Sequence, residues 1–431
     1  MTYPETLQYL FSRLPMFQRI GAAAYKADLE NTLKLSEILG KPEGRFRSIH
    51  VAGTNGKGST SHFLASILQE AGFKTGLFTS PHLRDFRERI RINGKVIPKM
   101  EVRTFVESYR EAFDKVQPSF FEWSFALASH YFALQNVDIA VMETGMGGRL
   151  DSTNIITPVL SVITNIGLDH VQFLGPTIPE IAKEKAGIIK KEIPVVIGET
   201  QAETTNIFMD FARSRNAPII FADRNFSVKS YGYSKKPVPK LWLDISSGIP
   251  PSSARYYPGL YGSYQCRNLV TVLQSVETLR QSGIEIRPEH IKQGISKVTG
   301  NTGIQGRWQL LSKQPLTFAD IGHNADGIRE VVGQINRIEY RKLHFVLGVV
   351  NDKDVGAMLK LLPTNASYYF CKANIPRGLD SGSLLKMAHL EGLEGNEYSS
   401  VKEALYAARQ AAALSDLIVV GGSAFVVAEV L

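Results

Sequence analysis

The segment Gly53–Thr60, with the sequence GTNGKGST, has the residue types of a phosphate-binding turn. It follows the apolar run SIHVA and opens the helical pattern STSHFLASILQ. A glycine-rich turn in that context directs backbone N–H groups, the positive end of a helix and the Lys57 ammonium group at one point, which suits a polyphosphate. Ser59 or Thr60 can then reach Mg²⁺, although Gly58 separates Lys57 from the first hydroxyl residue. A turn that only reverses the chain is the alternative, and the strand-to-helix context favours the phosphate site.

Polar residues follow three further apolar runs of the same half. Ser80 follows TGLFT, Glu143 ends DIAVME, and Asp169 with His170 comes shortly after SVITNIG. Ligands of an open parallel sheet bind outside the carboxyl ends of its strands, so these side chains should share one edge. Glu143 offers a hard oxygen, and His170 offers a nitrogen, which Mg²⁺ seldom takes. Each alone is an ordinary polar residue at the start of a loop, but their common position favours a metal site beside the phosphates.

Lys185 lies in the segment TIPEIAKEKAGII, which predicts a short helix with a Thr177–Glu180 capping box. Helical spacing places Lys185 on the same face as Ile181 and Ile188. A lysine in an apolar stripe commonly extends its ammonium group to water. A buried lysine can instead lose its charge through a shifted pKa or a chemical modification. The residues alone leave both interpretations open.

The second half has polar residues of its own after apolar runs: Asp320 and His323 in FADIGH, and Ser423 in VGGSAF. Asn268 lies on a helical pattern before them, and Arg307 lies where the two halves meet. An arginine at such a junction can form a salt bridge that closes two domains, or it can bind a phosphate. Each of these residues alone is a weak indicator of function.

The elements that must position these residues follow an α/β pattern. Short apolar runs alternate with helical patterns from residue 48 onward, and again through PLTFADIG, KLHFVLGVV, ASYYFCKA and DLIVVGG. This alternation is typical of parallel sheets covered by helices. Polar, Pro/Gly-rich pieces over 230–262 predict an antiparallel elaboration, and KVTGNTGIQGRWQ predicts a domain boundary. We therefore expect a P-loop parallel-sheet domain over 1–299 and a smaller Rossmann-like α/β domain over 300–431.

Composition and charge narrow the class of protein. The 431 residues, 44% of them hydrophobic, are enough for two packed domains. The net charge of +8 comes from scattered basic residues, which favours small anionic ligands over nucleic acid. Neither a secretory signal nor a membrane span is evident, so we expect a cytoplasmic protein without a membrane partner. No exposed apolar stripe is evident either, so a monomer is expected.

These motifs together resemble a known family. The chain is similar over nearly its whole length to folylpolyglutamate synthase/dihydrofolate synthase, a family in the Mur ligase superfamily. The similarity rests on HVAGTNGKGSTS, TSPHL, FFEWSFALASHYF, VDIAVMETGMGGRLDSTN, TNIGLDHVQFLGPTIPEIAKEKAGIIK, GRWQ, DIGHNADG and NDKD. The resemblance implies an ATP-dependent ligase. A substrate carboxylate attacks the γ-phosphate to give an acyl phosphate, and the amine of L-glutamate then displaces phosphate to leave an amide.

The partners and cofactors that the resemblance implies are small molecules. Folate, as tetrahydrofolate, and dihydropteroate would both accept L-glutamate, and ATP would be the co-substrate. Two Mg²⁺ ions, with a monovalent cation as an optional third ion, would serve as cofactors. Such ions fit the chemistry, because charge that develops on a transferring phosphoryl group must be stabilised.

The site residues that the resemblance implies fall into four groups. ATP would contact Gly53, Thr54, Asn55, Gly56, Lys57, Gly58, Ser59, Thr60, Asn268, Arg307 and Asp320. The metal ions would be held by Ser59, Ser80, Glu143, His170 and Lys185, the last as a carbamate. Ser119 and Asp151 would contact the folate or pteroate, and His323 and Ser423 the incoming glutamate. Lys57, Lys185 and His323 would be the catalytic residues.

Three positions depart from the family's pattern. Tyr264 stands where the family often has histidine, and Ala325 stands where it has proline. The usual PGR at the junction is Gln305-Gly306-Arg307, which keeps the arginine. None of these changes touches the P-loop or the candidate metal ligands.

Two other functions agree less well with the sequence than this resemblance does. A Mur ligase that adds an amino acid to a peptidoglycan precursor would usually carry a further N-terminal domain, whereas here the P-loop begins near residue 53. A P-loop switch without ligase chemistry would not need Lys185, His323 and a second α/β domain. Both considerations favour the folate branch.

Overall fold

The computed structural model describes residues 1–15, 28–234, 240–248, 251–351 and 353–431, with the side chain of Arg13 excepted. These residues form two compact units. The first contains the described parts of Met1–Tyr233, Lys240–Gly259 and Gln265–Ile304. The second contains the described parts of Ser234–Pro239, Leu260–Tyr264 and Gln305–Leu431.

The first unit is built on an eight-stranded sheet in the order β4-β3-β2-β5-β1-β6-β7-β8. Its strands are β1 (Arg47–Ala52), β2 (Thr75–Phe78), β3 (Ile90–Ile92), β4 (Lys95–Val96), β5 (Ile139–Glu143), β6 (Leu160–Ile163), β7 (Val195–Ile197) and β8 (Ile219–Phe221). All neighbours from β2 to β8 pair in parallel, while β3 and β4 form an antiparallel edge. The central strands are buried throughout, as expected for a sheet covered on both faces.

Helices cover this sheet and connect its strands. In chain order they are α1 (Tyr3–Arg13), α2 (Glu30–Ile38), α3 (Lys57–Glu70), α4 (Lys99–Val116), α5 (Phe120–Leu134), α6 (Val171–Leu174), α7 (Ile178–Ala186), α8 (Ala202–Ser214), α9 (Ala222–Asn225), α10 (Gln265–Gln281), α11 (Pro288–Ser296) and α12 (Val298–Thr302). Short 3₁₀ helices span Pro42–Arg45, Phe86–Arg89 and Ser152–Ile155. The capping box that the sequence predicts for α7 is present, with Thr177 and Glu180 bonded reciprocally.

A three-stranded antiparallel sheet elaborates the first unit. It has the order β11-β10-β9, with β9 at Phe226–Tyr233, β10 at Leu241–Gly248 and β11 at Pro251–Tyr256. The sequence predicts such an antiparallel elaboration over 230–262, and the structure confirms it. The apolar positions of β10 alternate with more exposed ones, because only one face of the strand is buried.

The second unit has a six-stranded sheet in the order β12-β13-β17-β14-β15-β16. The strands are β12 (Gln309–Lys313), β13 (Leu316–Ala319), β14 (Leu343–Leu347), β15 (Ala366–Cys371), β16 (Gly395–Tyr398) and β17 (Leu417–Gly421). Only β12 is antiparallel to its neighbour. The helices are α13 (Ala325–Ile335), α14 (Val355–Leu359), α15 (Ser381–Leu390), α16 (Val401–Ala411) and α17 (Ala424–Ala428).

The α/β fold class that the alternating pattern predicts is therefore confirmed in both units. All four apolar runs of the second half are strands, namely β13, β14, β15 and β17. The pattern misses the edge strands β12 and β16, whose residues are mostly half-exposed and lack a continuous apolar run. Within the described residues, no helix is both long and apolar enough to cross a bilayer.

His50, in the middle of β1, makes the stability of the first unit sensitive to acid. The ring is fully buried, with Nε2 at 2.8 Å from the Thr153 hydroxyl. Burial, and secondarily the charge of Lys190, lowers the pKa of His50 from 6.5 to about 3. Between these two values the unfolded chain binds a proton that the folded chain does not, so the free energy of unfolding falls as the pH falls.

We expect His50→Gln to lose less stability than the unchanged protein when the pH is lowered from 7 to 5. Glutamine can still hydrogen-bond to Thr153 but does not titrate. The difference should be about 2 kcal/mol, from the linkage of one group over this interval. Urea unfolding at the two pH values measures it. Equal losses in both proteins would contradict this account of His50.

Candidate functional site

The predicted phosphate-binding turn connects β1 to α3. Helix α3 begins at Lys57, and Gly56 precedes it with a φ of 83°. The turn is fixed from the loop after β6: the Thr54 N–H donates to the Asn165 carbonyl at 2.9 Å, and the Asn55 N–H donates to the Asn165 side-chain oxygen at 2.9 Å. The Thr164 hydroxyl donates to the Asn55 carbonyl at 2.6 Å. A preformed turn at a helix N-terminus is the geometry that binds phosphate oxygens.

Two lysines converge on one backbone atom of this turn. Lys57 Nζ donates to the Gly53 carbonyl at 2.9 Å, and to the Thr54 carbonyl at 3.2 Å. Lys185 Nζ donates to the same Gly53 carbonyl at 2.8 Å. The carbonyl can point this way because Gly53 has a φ of 146° and carries no side chain. The structure thus places both predicted catalytic lysines of the first unit at the P-loop.

We expect Gly53→Ala to weaken ATP binding at least about tenfold. A Cβ on residue 53 would lie 1.9 Å from the Thr164 hydroxyl oxygen, in a backbone conformation that L-residues rarely adopt. The turn must therefore shift together with the carbonyl that holds Lys57. Equilibrium binding of ATP, compared with a Gly44→Ala control whose Cβ would meet no atom within 4 Å, measures the effect. Equal affinities in the two variants would overturn this reading of the turn.

The hydroxyl residues at the start of α3 are buried beneath the turn. Ser59 accepts a hydrogen bond from Gln265 Nε2 at 3.3 Å, and Gln265 in turn accepts one from Asn268 Nδ2 at 2.8 Å. The Thr60 hydroxyl is buried and has no hydrogen-bond partner among the residues described. Asn268 also reaches the turn, because its side-chain oxygen lies 2.3 Å from where a Cβ of Gly56 would stand. Asn268 thus lies at the phosphate-binding turn, where the sequence predicts an ATP contact.

The order of the strands places the other predicted site residues at the same carboxyl-terminal side of the sheet as the P-loop. β1 lies between β5 and β6, and Glu143, the last residue of β5, is paired with Val51. Glu143 is buried, and its Oε2 accepts the Ser80 N–H at 3.2 Å. His170 follows β6 and has a φ of 50°, with its N–H donated to Asp169 Oδ1 at 2.9 Å. Ser80 and Glu143 are therefore adjacent, as predicted.

These residues fit a hard cation that shares its ligands with a phosphate. Within the ranges that the structure describes, no three His, Cys, Asp or Glu side chains are grouped to hold a metal by themselves. Mg²⁺ commonly uses one or two carboxylates together with substrate phosphates and waters. One buried carboxylate, Glu143, and the hydroxyls of Ser59, Thr60 and Ser80 provide oxygen donors of that kind.

Lys185 has the environment of a neutral amine. It lies on α7 with only 4% of its surface exposed, on the face that also buries Ile181. Burial, followed by the charge of Lys57, lowers the pKa of Lys185 from 10.5 to about 7, while Asp169 and Asp151 oppose the change. Because the side chain is buried, its amine does not extend to water. The interpretation of Lys185 as a lysine that reaches solvent from an apolar stripe is therefore wrong.

The two predicted folate contacts both have structural partners. Asp151 is buried and accepts the N–H groups of Met146 at 2.8 Å and Thr153 at 3.0 Å; burial nevertheless raises its pKa. Ser119 is the N-cap of α5, and its hydroxyl accepts the Glu122 N–H at 3.2 Å. These bonds give each residue a role in the fold, and contact with a substrate remains a prediction for both.

Asp320 organises the predicted residues of the second unit. Its Oδ2 accepts the Tyr264 hydroxyl at 2.6 Å and the Trp308 N–H at 2.8 Å, and its Oδ1 accepts the Gly322 N–H at 2.8 Å. Burial raises the pKa of Asp320, and the nearby Arg307 charge is among the interactions that oppose this. Tyr264, the departure from the family's histidine, therefore contacts a predicted ATP-binding residue directly.

His323 and Ser423 follow β13 and β17, which are neighbours in the second sheet. His323 Nδ1 lies 3.1 Å from the Ile321 carbonyl, and Asn324 begins α13 by accepting the Gly327 N–H at 2.8 Å. Ser423 caps α17 by accepting the Val426 N–H at 3.2 Å. Both residues thus lie at one edge of the second sheet, as expected for strand ends.

Sequence reasoning missed the residues that shape the P-loop from outside. Thr164 and Asn165 fix the turn, yet neither was predicted to belong to the site. Thr164 and Asn165 directly follow the run SVI. The rule that ligands bind outside the carboxyl ends of parallel strands could therefore have identified them. Gln265, a weak candidate on the same helical pattern as Asn268, is confirmed as a contact of Ser59.

Two family models match the chain. The Mur ligase middle domain matches residues 51–234, and the Mur ligase glutamate ligase domain matches residues 306–424. Together they cover most of the chain and include the turn Gly53–Thr60, Lys185 and Asp320.

Two relatives extend this match over the whole chain. Folylpolyglutamate synthase of Lacticaseibacillus casei is 34% identical, over 100% of this chain and 98% of its own length. A probable bifunctional folylpolyglutamate synthase/dihydropteroate synthase of Haloferax volcanii is 35% identical, but this chain spans only 50% of its length.

Solved structures agree in fold. Escherichia coli FolC in complex with DHPP and ADP superposes with a TM-score of 0.84 at 28% identity, covering 100% of this chain and 97% of that one. The bifunctional folylpolyglutamate synthase/dihydrofolate synthase of Yersinia pestis, complexed with AMPPNP and a Mn ion, gives 0.83 at 27% identity, with 100% and 97% covered. By these matches the chain belongs to the folylpolyglutamate synthase/dihydrofolate synthase family of Mur ligases, whose members are ligases that form carbon–nitrogen bonds.

Proposed function

We propose that this protein joins L-glutamate to the carboxylate of tetrahydrofolate, and also of dihydropteroate, in an ATP-dependent reaction through an acyl phosphate. The observation that carries the proposal is the convergence of Lys57 and the buried Lys185 on the Gly53 carbonyl. A P-loop alone would serve a kinase or a switch equally well. A second, buried lysine with a lowered pKa at the same turn is unnecessary for either.

The chain's own residues would bind and align the two reactants of the first step. The N–H groups of Gly53–Thr60 and the Lys57 ammonium group would hold the β- and γ-phosphates. The substrate carboxylate oxygen attacks the γ-phosphorus and ADP leaves. The amine nitrogen of glutamate then attacks the acyl carbon, phosphate leaves and the amine loses a proton. Fixing both reactants in one geometry lowers the barrier, because the entropy of bringing them together is lost on binding and not in the reaction step.

Mg²⁺ ions, when bound, would neutralise the charge that develops on the transferring phosphoryl group. The residues that would hold a first ion are Ser59 or Thr60 together with Ser80 and Glu143. His170 and a carbamylated Lys185 would hold a second. A site for a monovalent cation is a further part of the proposal.

Lys185 would gain its ligand character by reacting with carbon dioxide. The neutral amine nitrogen attacks the CO₂ carbon and loses a proton, which leaves a carbamate with two oxygens. With a pKa lowered to about 7, far more of the unmodified amine is neutral at pH 7 than of an ordinary lysine, which is almost entirely charged. Burial therefore favours this modification.

The remaining contacts follow the predicted groups. Asn268, Arg307 and Asp320 would contact ATP, Ser119 and Asp151 the pterin-bearing substrate, and His323 with Ser423 the incoming glutamate. Residues 1–299 would act as the ATPase domain with the folate site, and 300–431 as the glutamate-ligase domain. A monomeric, cytoplasmic enzyme without nucleic-acid or membrane partners completes the proposal.

Phosphate release provides the test. We expect inorganic phosphate to appear only when ATP, L-glutamate and a pterin-bearing carboxylate are all present. Tetrahydrofolate and dihydropteroate are supplied separately, and the products are resolved by mass, so that each acceptor is judged alone. Release with ATP alone would favour a P-loop switch, and glutamate-dependent release with a peptidoglycan precursor instead of a pterin would favour the peptidoglycan branch of Mur ligases.

A further inference from the structure

Arg89 is a buried cation outside the predicted site residues. It ends the 3₁₀ helix Phe86–Arg89 that leads into β3, and 3% of its surface is exposed. Its Nε donates to His82 Nδ1 at 2.8 Å, and its guanidinium carbon lies 5.1 Å from the centre of the Phe120 ring. In the part of the chain that the structure describes, no carboxylate forms an ion pair with Arg89 and neither Nη atom donates a hydrogen bond.

This arrangement leaves most of the guanidinium's hydrogen-bonding capacity unused. Arginine carries five N–H donors, and one of them is satisfied by His82. Burial lowers the pKa of Arg89 to about 10, with Glu143 and Glu88 opposing the change, so the group is still charged at neutral pH. A buried charge without a partner is costly, and such groups are normally paired. An anionic ligand would supply the missing partner.

The neighbours of Arg89 come from both ends of the candidate site. His82 belongs to the loop after β2 that also contains Ser80, whose N–H donates to Glu143. Phe120, under the guanidinium, directly follows Ser119, the predicted folate contact. Arg89 therefore contacts one residue next to the candidate metal ligands and one residue next to the predicted folate contact.

Aromatic rings surround the same position. The centre of the Phe120 ring lies 5.6 Å from the ring centres of both Phe11 and Phe86. The centre of the His82 ring lies 6.3 Å from each of the same two ring centres. Aromatic side chains of this kind pack well against a flat, apolar group that carries a carboxylate. They do not suit phosphates, which would bind at the P-loop. A guanidinium matches a carboxylate with two parallel N–H donors.

We propose that Arg89 binds the substrate carboxylate that receives glutamate, and that His82 is a positioning residue which orients the guanidinium. The inference rests on the proposed function and extends it by naming the group that holds the reacting atoms before phosphoryl transfer. His82 Nδ1 must be unprotonated to accept the Arg89 N–H, which fixes the ring as the Nε2–H tautomer.

The test compares ligands with and without the carboxylate. Calorimetry measures the affinity of dihydropteroate and of its carboxamide analogue for the unchanged protein, Arg89→Gln and Arg89→Lys. We expect the unchanged protein to prefer the acid about 10- to 100-fold, Arg89→Gln to lose that preference, and Arg89→Lys to keep part of it. ATP affinity should stay the same in all three proteins.

Arg87→Gln is the matched control. It removes a guanidinium from the same 3₁₀ helix, but one that is paired with Asp85. It should keep the preference for the acid. Equal weakening of acid and amide by Arg89→Gln would mean a structural role only, and an unchanged preference would likewise overturn the inference while leaving the proposed function intact. Absence of any pterin binding to the unchanged protein would overturn both.

Discussion

Lys57→Ala should abolish ATP-dependent ligation, with a loss of about 1,000-fold or more in kcat/KM, as expected when a group that stabilises transferring phosphoryl charge is removed. Lys57 is held at the start of α3 by the Gly53 and Thr54 carbonyls, at 2.9 and 3.2 Å, so its ammonium group is oriented before any substrate binds. Alanine removes that charge but keeps the helix. Product formation over a range of ATP concentrations measures the loss.

Lys95→Ala is the control for this prediction, because Lys95 lies exposed on the edge strand β4. It should ligate like the unchanged protein. Turnover within about threefold of the unchanged protein by Lys57→Ala would remove the P-loop from the mechanism, whatever else the site contains.

Lys185→Ala should lose about 100- to 1,000-fold in activity, and short-chain carboxylic acids should restore part of it. The reason lies in two features: the amine is buried beside the P-loop, and its pKa is about 7, so carbamylation is favoured. Acetate or propionate added to the alanine variant would replace the carbamate oxygens in the space that the side chain leaves.

The structure also suggests an alternative role for Lys185, which predicts a different result in the rescue experiment. As an unmodified ammonium group it donates to the Gly53 carbonyl at 2.8 Å, and if that bond were its function, methylamine rather than acetate should rescue the variant. Lys183→Ala is the control, since Lys183 lies exposed on the same helix. Rescue by the amine alone would contradict the carbamate.

Much of the fold could be predicted because parallel strands carry a strong local signal. Runs such as Ile139–Glu143 and Leu417–Gly421 are apolar at almost every position and are buried in the structure. The half-exposed edge strands β12 and β16 have no such pattern, since pairing along one edge needs no continuous apolar run. Their existence depends on neighbours that are distant in sequence.

The site was partly predictable for a similar reason. The rule that ligands bind at strand ends pointed to Ser80 and Glu143, which the structure places next to each other, and helical spacing placed Lys185 on the buried face of α7. Contacts between distant segments had no local signal. The Tyr264–Asp320 bond spans 56 residues, and Arg89 became notable only because the fold buries it and no carboxylate of the described residues forms an ion pair with it.

The acyl phosphate is the central claim, and oxygen transfer tests it most directly. Dihydropteroate labelled with ¹⁸O in both carboxylate oxygens is converted with ATP and L-glutamate, and the released phosphate is analysed by mass. If the carboxylate attacks the γ-phosphorus and glutamate then displaces phosphate, each phosphate carries one ¹⁸O and the amide keeps the other. Unlabelled phosphate, formed at the same rate as the amide, would contradict the mechanism.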